Sequence, residues 1–75
     1  EEIVVRANSE LDGKTIAQGH VRTQTGVNVL AVRHPGGAIQ TNLGPDFVLY
    51  ADDSMICLGT PAQLARLTEV AAGRE

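Results

Sequence analysis

Between Arg22 and Arg33 the chain reads RTQTGVNVLAVR, a polar turn centred on Thr25-Gly26 that opens into Val27, Val29, Leu30, Ala31 and Val32. Successive side chains of a strand point to opposite faces, so a near-continuous apolar run rich in β-branched residues predicts a strand covered on both sides. The rest of the chain must then be arranged around this strand. The run closes in Arg33-His34 and Pro35-Gly36-Gly37, residues that reverse the chain.

The flanking segments supply what such a strand needs. Ile3 to Arg6 is a short strand signal, and residues 7–13, ANSELDG, read as a loop with Ser9 and Asp12 as candidate helix caps. Lys14 to Gln18 fits one to two turns of helix, with Gly19 placed to end it in the left-handed conformation. So short a helix needs the packing of Leu11, Ile16 and Val21 to hold it. After the reversal, Ala38 to Thr41 returns as a weaker strand, and Asn42-Leu43-Gly44-Pro45-Asp46 is a loop of turn residues. Phe47 to Tyr50 is a further short extended stretch, Asp52-Asp53 a polar turn, and Met55 to Leu58 the last buried strand, stopped by Gly59. Thr60-Pro61-Ala62-Gln63 combines an N-cap Thr, a Pro at the first helical position and Gln three residues after the cap, a capping box. Leu64, Leu67 and Ala71 then share one helical face, and Gly73 ends the pattern. The expected fold is α+β, a small mainly antiparallel sheet with two helices in the order β-α-β-β-β-α.

At 75 residues the chain is one domain at most. Chains of this size bury only about 60% of their unfolded surface, so partner surface would help. It starts at Glu1 without Met, which suggests a piece of a longer protein. A net charge of −3 argues against a nucleic-acid polymer as partner, since such binders carry a basic face. Phe47 and Tyr50 are the two aromatic residues, too few to build a base-stacking platform. No apolar run approaches the ~20 residues of a membrane span, and the lone Cys57 cannot form an internal disulfide.

Most chemistry-bearing residues have an ordinary explanation. Gly13-Lys14-Thr15 matches the end of a phosphate-binding P-loop, but Asn8 stands where the loop's first glycine belongs. Asp52 and Asp53 are adjacent, and a tight turn is the usual home for such a pair. His20, His34 and Cys57 do not lie at metal-ligand spacing. No nucleophile has a base and orienter arranged beside it, so the chain does not read as an enzyme. Arg22, Asn28, Arg33 and His34 form a modest polar set around the central strand. An arginine can hold a phosphate by two parallel hydrogen bonds and an asparagine can match a base edge, so with Ile16 and Val21 they could line a small nucleotide pocket. A surface arginine and a turn asparagine are the plainer alternative.

The ordered set of motifs adds to this. Leu11-Asp12-Gly13-Lys14-Thr15-Ile16, then Val21 through Arg33, then Pro45-Asp46, Leu49, Asp53 and Leu58-Gly59-Thr60-Pro61-Ala62-Gln63-Leu64 together resemble the TrkA-C domain, the C-terminal lobe of RCK (regulator of potassium conductance) modules. The resemblance covers nearly the whole chain. It departs where the family usually has Gly-Asp and this chain has Asp52-Asp53, and where the family has Asn-Pro and this chain has Asn42-Leu43-Gly44-Pro45. The resemblance implies a cytosolic regulatory lobe of a potassium channel or potassium/cation transport system, working as a homodimer with the remainder of a membrane transport protein or its pore subunit. It also implies a ligand, cyclic di-AMP, which several members bind at the dimer interface. The positions implied to line that site are Ile16, Val21, Arg22 and Asn28, with Pro45 from the following loop. The alternatives are a ligand-free dimerisation lobe, including that of an anion or dicarboxylate permease, and a divalent-cation sensor using Asp52 and Asp53. Neither a cofactor, a catalytic residue nor a metal ligand is expected.

Overall fold

The computed structural model describes residues 1–73. Its elements are β1 (Glu2–Val4), α1 (Val21–Thr25), β2 (Asn28–Arg33), β3 (Ile39–Gln40), β4 (Ser54–Leu58) and α2 (Pro61–Ala71). The strands form one sheet in the order β1-β4-β2-β3, each pair antiparallel. The α+β class and the element order are those expected. The centre of the sheet is shared, because β4 lies between β1 and β2 and joins the two ends of the chain.

One face of this sheet carries the core. Ile3, Met55 and Val32 stand opposite one another across three strands, and each is buried. Against them pack Val5, Leu11, Val21, Val27, Leu49, Cys57, Leu67, Val70 and Ala71. Both helices and the long loops thus sit on the same side. A β-bulge between Val29 and Ala31 leaves Leu30 without a cross-strand partner, and Leu30 is 49% exposed. The expectation of a strand covered on both faces is corrected here: within this chain β2 is covered on one.

The capping box forms as read. The Thr60 hydroxyl accepts from Gln63 N, and the Gln63 Oε1 accepts from Thr60 N at 2.9 Å. Two amides that the helix itself cannot satisfy are thereby paired. Leu67 and Ala71 are buried as expected, joined by Val70.

The first helix is displaced from its expected place. Residues 14–18 are not helical; Thr15 makes an isolated bridge to Val48, and its hydroxyl accepts from Gln18 N. The helix lies seven residues on, at Val21–Thr25, inside the stretch read as polar turn. Its N-cap His20 is left-handed at φ 52° and gives no side-chain cap. Gly26, at φ 78°, ends it in the left-handed conformation that favours glycine. Ser9 and Asp12 cap no helix. The Asp12 carboxylate accepts from Asn8 N and from Ala51 N at 3.0 Å, tying the first loop to the 50–53 turn. Phe47 to Tyr50 forms no strand of its own: it makes the isolated bridge at Val48, flanked by backbone hydrogen bonds of Leu49 with Gly13 and Lys14.

Candidate functional site

The junction between α1 and β2 is fixed by a local network. Val21 and Val27 are each about 1% exposed and anchor the two ends. Between them the buried Thr25 hydroxyl donates to the Val21 carbonyl and accepts from Val27 N. Arg22, exposed and one residue past an anchor, is held on the outer side of α1, and Asn28 opens β2. On the facing wall, Ile16 N donates to the Phe47 carbonyl at 3.0 Å, and Ala17 N donates to the Pro45 carbonyl at 3.3 Å.

These elements enclose a concavity of about 190 Å³ lined by Ile16, Val21, Arg22, Val27, Asn28, Val29 and Leu43. Four of the five residues implied by the resemblance therefore share one cavity. Pro45 is not among the lining residues; its carbonyl accepts from Ala17 N, and Leu43 of the same loop lines the cavity. A loop is set by its backbone partners more than by its own side chains, so sequence could name the loop and not the residue.

The polar set divides. Arg33 Nε donates to Glu2 Oε1 at 2.9 Å, and His34 is drawn to Asp53, so neither is available to the cavity. The Arg22 guanidinium has no ion-pair partner among the described residues. The site is one free cation and one amide at the rim of apolar walls. That suits an anion flanked by a flat apolar or aromatic group. Its volume falls below the ~300–1,000 Å³ usual for a small-molecule pocket. A larger concavity of about 330 Å³ beside β1 is lined by Glu1, Glu2 and Arg6, so its one cationic side chain stands among carboxylates, and no side-chain amide borders it.

His34 and Asp53 form a second polar centre, which the sequence hid because the two are 19 residues apart. Asp53 is buried. Its Oδ1 lies 2.9 Å from His34 Nδ1, and its Oδ2 accepts from Tyr50 N at 3.0 Å. His34 Nε2 faces Gln40 Oε1 at 3.2 Å. With an acceptor at each ring nitrogen the imidazolium is favoured, and the Asp53 and Gln40 hydrogen bonds raise the His34 pKa above its ordinary value of 6.5. A group whose folded pKa is raised stabilises the fold fully below its unfolded pKa and ceases to as pH climbs through the folded one. Wild type is therefore expected to lose stability as pH rises from about 6.5 through that raised value. A His34→Gln variant is expected to be flat over the same window when both are unfolded in urea.

Asp52, at φ 74°, occupies the turn expected for the Asp-Asp pair, and the Asp53 carboxylate is engaged on both oxygens. Among the described residues no three His, Cys, Asp or Glu side chains converge as for a metal ion. Burial pushes the Cys57 thiol up to about 11, which keeps it protonated and unreactive. Gly13 N donates to the Leu49 carbonyl, so that turn offers no free phosphate cradle at this amide. No helix among the described residues is long and apolar enough to cross a membrane.

Comparison with known proteins brings these features together. The model of the TrkA-C domain family matches residues 1–72. Potassium channel protein 1 of Methanocaldococcus jannaschii is 35% identical over 68 residues, which is 91% of this chain and 20% of that protein. The chain thus spans about one fifth of the curated relative it matches. Among solved structures, the RCK_C domain dimer of S. agalactiae BusR in complex with c-di-AMP aligns with TM-score 0.84 and 31% identity, over 93% of this chain and 85% of that one. The RCK C domain of the potassium transport protein KtrA, also in complex with c-di-AMP, aligns with TM-score 0.75 at 23% identity, over 92% and 80%, and shares the fold. BusR has also been solved with its promoter DNA, in a chain of which this one covers 34%. Kinship with such proteins does not carry the charge-based exclusion of nucleic acid.

Proposed function

The chain belongs to the TrkA-C domain family, and from that premise we propose that it is the cytosolic ligand-sensing and dimerisation lobe of a longer potassium channel or potassium/cation transport protein. Cyclic di-AMP is its regulatory ligand, bound between two copies. The observation that carries this reading is the convergence of Ile16, Val21, Arg22 and Asn28 on one cavity of about 190 Å³, below the ~300–1,000 Å³ usual for a small-molecule pocket. Pro45, whose carbonyl accepts from Ala17 N, belongs to the loop beside this cavity and is its further wall in this reading.

The mechanism follows from symmetry. A two-fold dimer offers two Arg22 guanidinium groups to the two phosphates of a two-fold ligand. Each adenine then lies against the apolar wall of Ile16, Val21 and Val29, with Asn28 at its edge. Ligand binding favours one placement of the two lobes over others, and a pore coupled to that placement opens or closes with it. The protein does no covalent chemistry in this role.

A ligand bound only by the folded dimer raises stability by mass action, about 2.7 kcal/mol at one hundred times the dissociation constant. Cyclic di-AMP is expected to raise the thermal midpoint progressively, and cyclic di-GMP at equal concentration to raise it less. Midpoints indifferent to cyclic di-AMP at every concentration would leave a lobe that dimerises without a ligand.

A further inference from the structure

The His34–Asp53 centre and the cavity are joined through one residue. The His34 ring centroid lies 6.0 Å from that of Phe47, with the two planes tilted by 35°. Phe47 is half-buried against the core, and its carbonyl accepts from Ile16 N at 3.0 Å. Its own amide donates to the Gly44 carbonyl at 3.1 Å, closing the turn that follows Leu43. Ile16 and Leu43 are both walls of the cavity. A shift of Phe47 therefore acts on two of its apolar walls. The turn is also where this chain carries Asn42-Leu43-Gly44-Pro45 in place of the family's usual Asn-Pro.

Three elements hold the His34 ring: the buried Asp53 of the 50–53 turn at Nδ1, Gln40 of β3 at Nε2, and Phe47. Among the described residues Asp53 is the one charged group within ion-pair distance of it. Gln40 and Phe47 are neutral, the neighbouring Arg33 is paired with Glu2, and Asp46 and Asp52 are exposed. The imidazolium donates from both nitrogens, and a cation about 6 Å from an aromatic centroid is drawn to that ring. In the neutral ring one nitrogen presents a lone pair to its oxygen partner, and the pull on Phe47 is lost. The charged state thus fastens Phe47, and Phe47 fastens Ile16 and the Leu43 turn.

We propose that a proton on His34 and the ligand in the cavity favour one another, so that the lobe senses pH together with its nucleotide. The inference rests on the ligand reading above and adds a second effector to it. His34 does not line the cavity and acts as a positioning residue. The coupling is reciprocal: ligand holds the proton on His34 as the proton holds the ligand. Affinity is full at a pH where His34 is already charged, and falls as pH climbs through the raised pKa. Over that window the complex takes up protons as it forms.

The test is calorimetric titration with cyclic di-AMP from about pH 6 to about pH 8.5, in two buffers of different ionisation enthalpy at each pH. Wild type is expected to lose affinity at least about fivefold across this range, with proton uptake on binding. His34→Gln keeps hydrogen-bonding atoms and cannot titrate, so its affinity is expected to stay level with no uptake. A merely structural histidine would change stability and leave proton uptake at zero. The other histidine, His20, caps α1 beside Arg22; His20→Asn, which tolerates the left-handed φ of 52°, is expected to keep the wild-type slope. Wild-type affinity level across the range, a slope that survives in His34→Gln, or one that vanishes in His20→Asn would overturn the inference and leave the ligand site standing. Absence of binding at every pH would overturn the ligand reading and this inference with it.

Discussion

Replacing Arg22 by Ala is expected to weaken cyclic di-AMP binding about a hundred- to ten-thousand-fold while leaving the fold intact. The size follows from symmetry. Each charge-assisted hydrogen bond is worth about 1.5–3 kcal/mol, and one substitution removes the contact at both phosphates. The sum, about 3–6 kcal/mol, converts to two to four decades of affinity. The fold should not notice, because Arg22 is exposed and its side chain has no ion-pair partner among the described residues. Alanine also suits a helix better than arginine does, so the change in stability should stay within about 0.5 kcal/mol. The comparison to make is affinity by calorimetry against the urea midpoint of the same preparation. Arg22→Lys should recover only part of the binding, since an ammonium cannot reproduce the planar two-pronged contact.

The second large effect is on stability. Leu67→Ala is expected to cost about 2–5 kcal/mol, since it empties a fully buried position on α2 and the surroundings collapse only in part. A domain of this length has only about 4–11 kcal/mol in total, so half of it is at stake. The urea midpoint should fall at unchanged slope. The consequence reaches the site, because α2 packs against α1, which carries Arg22. Ligand binding should weaken in Leu67→Ala even where the chain is still folded, and by less than in Arg22→Ala. Equal affinity in folded Leu67→Ala and wild type would show that the seat of α1 does not depend on this contact.

What could be read from the chain alone divides by the range of the interaction. The α2 start was legible because its four residues, Thr60 to Gln63, satisfy one another locally. β2 and β4 were legible from their apolar runs, and the turn at Pro35-Gly36-Gly37 from its residue types, both glycines taking the positive φ that such turns use. The helix at Val21–Thr25 was not, because its N-cap is a left-handed His20 without a side-chain cap and its length is five residues. Burial of Val21 and Thr25, rather than propensity, holds it. The same limit hid the bare sheet face. An apolar run says that side chains avoid water and not whether their cover comes from the same chain or another. At the site, Ile16, Val21, Arg22 and Asn28 sit within thirteen residues on local elements and could be named together. Leu43 could not, because only the backbone hydrogen bonds of the 43–47 loop decide which of its side chains turns inward. Nor could the fate of Arg33 and His34, each taken by a carboxylate distant in sequence.

Isothermal titration of the chain with cyclic di-AMP at moderate salt tests the central claim most directly, through its stoichiometry. Two half-sites closing on one symmetric ligand require saturation at one cyclic di-AMP per two chains, with affinity that falls at least about a hundredfold in Arg22→Ala. Saturation at one ligand per chain, or an affinity unchanged in Arg22→Ala, would contradict a shared cleft built on that arginine.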